Sequence, residues 1–138
     1  MIFDAEEAFC AGLLHDIGKV VMEQYLHDDF HKALIYSKQE SIPLYEAEQK
    51  FLGFTHSDVA EWLTNSWNLP FDIQLPMIYH HTPSDAPQCQ EIISLCHLAD
   101  ILSYETGNSI DPEYPAPTLE QNIIESSNIT QTDINAIK

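Results

Sequence analysis

Apolar residues recur along this chain at three- and four-residue intervals, separated by short polar breaks, which is the pattern of consecutive amphipathic helices. Asp4, with Glu7 three positions later, marks the first helix start, because acids suit the positive N-terminal end of a helix. That helix is expected to continue to about Leu26 and to bury Phe9, Leu13, Ile17, Val20 and Tyr25. Gly12 and Gly18 lower its helix propensity, so they predict close approach of another backbone or of a ligand. A second helix is expected from a cap at Asp28 or Asp29 to about Lys38, and a third from Pro43 to near Gly53. Thr55-His56-Ser57-Asp58 has the capping-box pattern and opens a fourth, carrying Val59, Leu63 and Trp67, which Asn68-Leu69-Pro70 ends. The fifth carries Ile73, Met77 and Ile78 and leads to the pair His80-His81, with Pro76 predicting a kink or a late start. After a polar turn over 82–87, a sixth helix from about Gln90 to Glu105 is expected to bury Ile92, Ile93, Cys96, Ala99 and Leu102. A proline-rich loop over 107–117 precedes capping-type signals at Thr118 and Thr130, which predict two short terminal helices, the last prone to fraying. The fold class is all-α, with a helical core over 1–105 and residues 106–138 as loop and short helices of the same domain or a tail.

Composition narrows the function classes. At 138 residues and 44% apolar content, the chain is one domain with a real core. Its 22 acidic and 5 basic residues give a net charge of −17, which repels nucleic acid and anionic membranes. A small anionic ligand then needs local positive charge, which a metal ion can supply. The three cysteines, Cys10, Cys89 and Cys96, are odd in number and form no C-x-x-C pair, which fits a reducing cytoplasm. Met1 to Asp4 lacks a basic region of signal-peptide type, and no apolar run reaches membrane-spanning length.

Against this background one run carries chemistry: Gly12-Leu13-Leu14-His15-Asp16-Ile17-Gly18-Lys19. An imidazole and a carboxylate in an apolar helical setting need a partner, and a divalent metal is one. Neighbours on one helix, His15 and Asp16 point about 100° apart, so an ion between them is within reach of both. Lys19 shares their face, three and four residues on, where its ammonium can meet a phosphoryl oxygen. His56 would open a helix, whose positive end favours the neutral, metal-binding imidazole. His80 and His81 offer two more nitrogens, although a pair of histidines also suits a helix C-terminus. Asp100 lies among apolar neighbours and reads equally as an ordinary polar position on a half-exposed face. Glu48 is a weaker candidate, and His27, His31 and His97 are read as non-ligands. Donors of this type suit Fe, Mn, Ni, Co or Zn better than Mg.

The order of these pieces resembles the HD superfamily of metal-dependent phosphohydrolases, and more closely its HDOD subgroup, the HD-related output domain of bacterial signalling proteins. The resemblance covers about residues 5–105. It rests on the run from Phe9 to Lys19, on Leu52 to Ala60 with His56, on Trp67-Asn68-Leu69-Pro70, on His80-His81-Thr82-Pro83 and on His97-Leu98-Ala99-Asp100. It implies a helical bundle with a central site holding one or two metal ions. It makes His15, Asp16, His56, His80, His81 and Asp100 ligands, and gives Lys19 and Asp16 catalytic or phosphate-binding roles. A metal-activated water would then attack phosphorus in a nucleotide monoester or diester. HDOD relatives are regarded as signalling modules in which catalysis is uncertain or lost. Thr82-Pro83 stands where the cyclic-di-GMP phosphodiesterases of the superfamily carry an acid and then Gly-Tyr-Pro, which disfavours that activity. Such domains also carry helices before the His-Asp run, so the chain is expected to lack its N-terminal part. The apolar patch left by that lack predicts self-association or an upstream partner domain.

Overall fold

The computed structural model describes residues 4–109, 113–126, 130, 132 and 135. The helices are α1 (Ala5–Leu14), α2 (Ile17–Tyr25), α3 (His27–Glu40), α4 (Leu44–Leu52), α5 (His56–Trp67), α6 (Phe71–Tyr79), α7 (Gln90–Glu105) and α8 (Gln121–Ser126), with a 3₁₀ turn at Pro83–Asp85. No strand occurs among the described residues, so the fold is all-α. None of the helices is long and apolar enough to cross a membrane.

Two apolar clusters build the core. Met22, Phe30, Ala33, Leu44, Ala47 and Val59 join α2, α3, α4 and α5. Ala11, Leu75, Ala86, Ile92 and Ile93 join α1, α6 and α7. Burial of such side chains contributes about 1.5–3 kcal/mol for each large one, so the clusters dominate the stability of the bundle. The first expected helix is in fact two. α1 belongs to one cluster and α2 to the other, and the chain turns between them at His15 and Asp16. Asp16 leaves the helical region, with φ −100° and ψ 11°.

This break also overturns the expected buried face. Phe9, Leu13, Val20 and Tyr25 are exposed, Phe9 at 70% and Tyr25 at 73%, whereas Ala11, Gly18 and Met22 are buried. The small residue Ala11 and the unbranched Met22 face the neighbouring helices, so the larger apolar stripe points to solvent. In α7 the same kind of correction applies: Ala99 is exposed, while His97 and Asp100 are buried alongside Ile92, Ile93 and Cys96.

Most termini follow local chemistry. Thr55 and Asp58 form the reciprocal cap of α5, with Thr55 N–H donating to Asp58 Oδ2 at 2.7 Å. Gly53 ends α4 at φ 77° and Asn68 ends α5 at φ 52°. Asp28 and Asp29 lie inside the first turn of α3 instead of capping it, since Leu26 occupies the cap position. Pro76 stays inside α6, so the helix does not start late. α8 begins at Gln121, after the Thr118 signal, and Ile123 is buried. The helix expected from Thr130 falls on a segment of which only residues 130, 132 and 135 are described.

Candidate metal centre

His15 closes α1, its backbone N–H donating to Ala11 O at 2.9 Å. Its ring Nδ1 donates back to Gly12 O at 2.7 Å, which leaves Nε2 facing inward. That atom lies 3.5 Å from Asp16 Oδ2 and 3.7 Å from Asp100 Oδ1. Lys19 Nζ donates to Asp16 Oδ2 at 2.7 Å.

His56 arrives from α5 because α2 and α5 touch backbone to backbone. A Cβ on Gly18 would sit 1.9 Å from His56 O, so only glycine permits this approach. Gly12 shows the opposite: nothing lies within 4 Å of its would-be Cβ, and the close approach expected there is absent. Glu48 holds His56 from the other side. Its Oε2 accepts from His56 N at 2.9 Å and from His56 Nδ1 at 2.6 Å, with both residues fully buried. His56 Nε2 therefore presents a lone pair, 3.3 Å from Asp16 Oδ1.

His80 repeats the device. Its Nδ1 donates to Pro76 O at 3.0 Å, and its Nε2 lies 3.4 Å from His56 Nε2 and 3.7 Å from Asp16 Oδ1. His97 Nδ1 donates to His80 O at 2.6 Å, which fixes the chain at the end of α6. His97 Nε2 accepts from Glu120 N at 3.2 Å, which ties the segment after α7 to the site. His81 lies flat on Tyr45, with ring centroids 4.5 Å apart and planes at 21°, and its Nε2 is 2.9 Å from His56 Nε2. Its Nδ1 is buried without a partner, so its tautomer follows whatever occupies the centre. As the Nε2–H form it donates to His56, and as the Nδ1–H form it turns a further lone pair inward.

Burial sets the protonation states of His80 and His81. It pushes the His80 imidazole down to about 4, helped by His56 and His15. It also lowers His81 well below the ordinary histidine value, with His80 and His56 adding to the effect. Burial would raise the Asp16 carboxyl, but contacts with His80, Lys19, His56 and His15 outweigh it and hold Asp16 well below the usual carboxylate range. Burial would lower His15, yet Asp100 and Asp16 raise it overall. Beside the site, burial and the Asp100 and Asp16 carboxylates push the Cys96 thiol up to about 12, so it does not offer a thiolate.

The residues fit a metal ion. Asp16, His56, His80 and His81 bring four donor atoms within 4.8 Å of one another, and His15, Asp16 and Asp100 form a second group sharing Asp16. Unprotonated imidazole nitrogens facing each other and a carboxylate repel, and a cation among them reverses the sign. Asp16 Oδ1 and His15 Nε2 are buried with no hydrogen-bond partner, which is costly for polar atoms unless an ion satisfies them. All seven leading candidates from the sequence converge here. Glu48 is the residue underrated by sequence reasoning. Its signal is an acid one turn after Leu44 and one turn before Leu52, on the buried stripe of α4.

Between the ordinary histidine value of 6.5 and about 4, the unfolded chain protonates His80 while the native state does not. The unfolded state then binds more protons, so stability falls as pH falls through that window. His80 alone accounts for about 3 kcal/mol of this loss. His15 acts oppositely, its contribution fading as pH rises past its raised native value. In chelator, the urea midpoint is expected to drop between pH 7 and 5. A flat or rising midpoint over that range would show that the buried imidazoles are not held neutral.

An uncharacterized protein of Treponema pallidum (strain Nichols) is 23% identical over 119 residues, which is 86% of this chain. The chain spans 22% of the length of that curated relative. No solved structure matches. The HDOD domain family profile matches residues 2–83, a stretch that holds His15, Asp16, Lys19, His56, His80 and His81 and stops short of Asp100. Because that stretch is more than half of the 138 residues and contains three of the four chain segments that meet at Asp16, the chain belongs to the HDOD domain family.

Proposed function

We propose that this chain is a bacterial signalling or regulatory module that binds a divalent transition metal through Asp16, His56, His80 and His81. The carrying observation is that Glu48 and Pro76 each occupy one imidazole nitrogen, so His56 and His80 both turn a lone pair toward Asp16. Three imidazoles and a carboxylate favour Fe, Mn, Ni, Co or Zn over Mg. The group of His15, Asp16 and Asp100 has one donor fewer among the described residues, so the four-donor group fills first. The signalling role rests on the family.

A second reading, a metal-dependent phosphohydrolase, is favoured by the cavity beside the centre. This space of about 720 Å³ is lined by Asp16, Lys19 and Asp100 and by Phe30, Leu34 and Tyr104 among others. It has room for a small phosphorylated ligand such as a nucleotide. When bound, the ion would supply positive charge that attracts phosphoryl oxygens and acidifies water. Lys19 would donate to a phosphoryl oxygen, and Asp16 would hold the Lys19 ammonium in place. Burial would lower the Lys19 ammonium, but Asp16 and Tyr104 raise it overall, so it stays charged.

Metal analysis of protein purified without chelator, followed by assays on a nucleotide and phosphodiester panel with Mn or Fe, tests both readings. The proposal expects bound metal, near one ion per chain at this centre, without appreciable turnover. Hydrolysis that depends on Lys19 would move the assignment to the enzyme. Failure to load any ion would leave a scaffold without metal chemistry.

A further inference from the structure

Away from the buried centre, the structure assembles a different donor set at the corner between α2 and α3. Glu23 lies in the last turns of α2, and His27 and His31 lie one turn apart at the start of α3. His27 Nδ1 is 2.7 Å from Glu23 Oε1, and His31 Nε2 is 3.2 Å from Glu23 Oε2. The two imidazoles lie against each other, with centroids 4.1 Å apart and planes at 36°. The three donor atoms fall within 4.8 Å of one another, and all three residues are exposed. In the sequence alone His27 and His31 are residues of a polar junction and read as non-ligands. The turn at Leu26 brings the Glu23 carboxylate to a nitrogen of each ring.

We infer that Glu23, His27 and His31 form a surface site for a divalent transition metal, separate from the buried centre. Two histidines at i and i+4 present their rings to one side of a helix, the spacing by which helical metal sites place paired imidazoles. A carboxylate from the preceding helix completes three ligands on one side of the ion and leaves the solvent side open to water. Two nitrogen donors select Zn, Cu, Ni or Co, whereas Mg and Ca prefer all-oxygen sets. The bound ion ties α2 to α3 across Leu26. Glu23 also lines the cavity that Asp16 and Lys19 line, so a loaded site adds positive charge to its wall.

The test is Zn²⁺ calorimetry at pH 7.5 on the wild-type chain, on His27→Asn/His31→Asn and on Glu23→Gln. Circular dichroism of the metal-free variants checks folding, which exposed positions should leave intact. The double variant is expected to bind one ion fewer per chain. Glu23→Gln is expected to keep the stoichiometry with affinity weakened at least about 10-fold. Sub-stoichiometric Cu²⁺ should broaden the ring resonances of His27 and His31 in Asp16→Ala, where the buried centre no longer competes for the ion. Equal stoichiometry and affinity in wild type and double variant, or no broadening of these two rings, overturns the site. One ion lost with the double variant and none at the buried histidines supports this site while removing the buried one, so the two proposals fail separately.

Discussion

Gly18→Ala is expected to destabilise the protein by about 2 kcal/mol and to weaken metal binding at the buried centre. The added methyl would meet His56 O at 1.9 Å and His56 C at 2.7 Å, and both atoms are backbone that cannot rotate away. Alanine gains about 1 kcal/mol of helix propensity over glycine, but overpacking a closed contact costs about 1–3 kcal/mol and sometimes more. Relief requires α2 and α5 to separate, and that motion carries His56 Nε2 away from Asp16 Oδ1. Gly12→Ala is the matched control. Nothing lies near its would-be Cβ, so it is expected to gain about 0.5–1 kcal/mol. Urea denaturation of the two variants with chelator present reads the stability, and zinc titration reads the site. A Gly18→Ala protein as stable and as tight as wild type would mean that α2 and α5 do not meet at His56.

Asp16→Ala carries the other large effect. Asp16 is the residue common to both donor groups, and its two oxygens face His56, His80, His15 and Lys19. Its removal leaves neutral imidazoles and one ammonium around a space with no anion, so metal binding at the buried centre should be abolished. The metal-free protein should lose less, about 1–3 kcal/mol, because the pair of Asp16 with Lys19 is partly open to water. Isothermal titration against wild type, with thermal melts in chelator, separates the two effects. Undiminished metal affinity at the buried histidines in Asp16→Ala would refute the assignment of Asp16 as the shared ligand. The surface site at Glu23, His27 and His31 is expected to remain, which gives the variant its own folding control.

Much of this protein is readable along the chain. The cap at Thr55, the stop at Gly53 and the limits of α7 all depend on residues adjacent in sequence or one turn apart. Local hydrogen bonding and backbone preference act at that range, so they leave a local signature. The face of the first helix is the counter-example. Phe9, Leu13, Val20 and Tyr25 have helical spacing, yet periodicity describes a stripe only relative to its own axis. Whether a neighbour covers that stripe depends on the other helices, and here Ala11 and Met22 take the buried side.

Tertiary structure alone decided the rest. It broke the first helix at His15 and Asp16, because α1 and α2 pack into different clusters. It buried Glu48 against His56 and so chose which nitrogen of that ring faces inward, whereas Gly12 O and Pro76 O orient His15 and His80 from one turn earlier in the chain. It also joined Glu23 to His27 and His31. The sequence by itself determined which donors exist and on which helices they ride. Their convergence is a through-space property, set by close packing of separate elements, and no spacing along the chain encodes it.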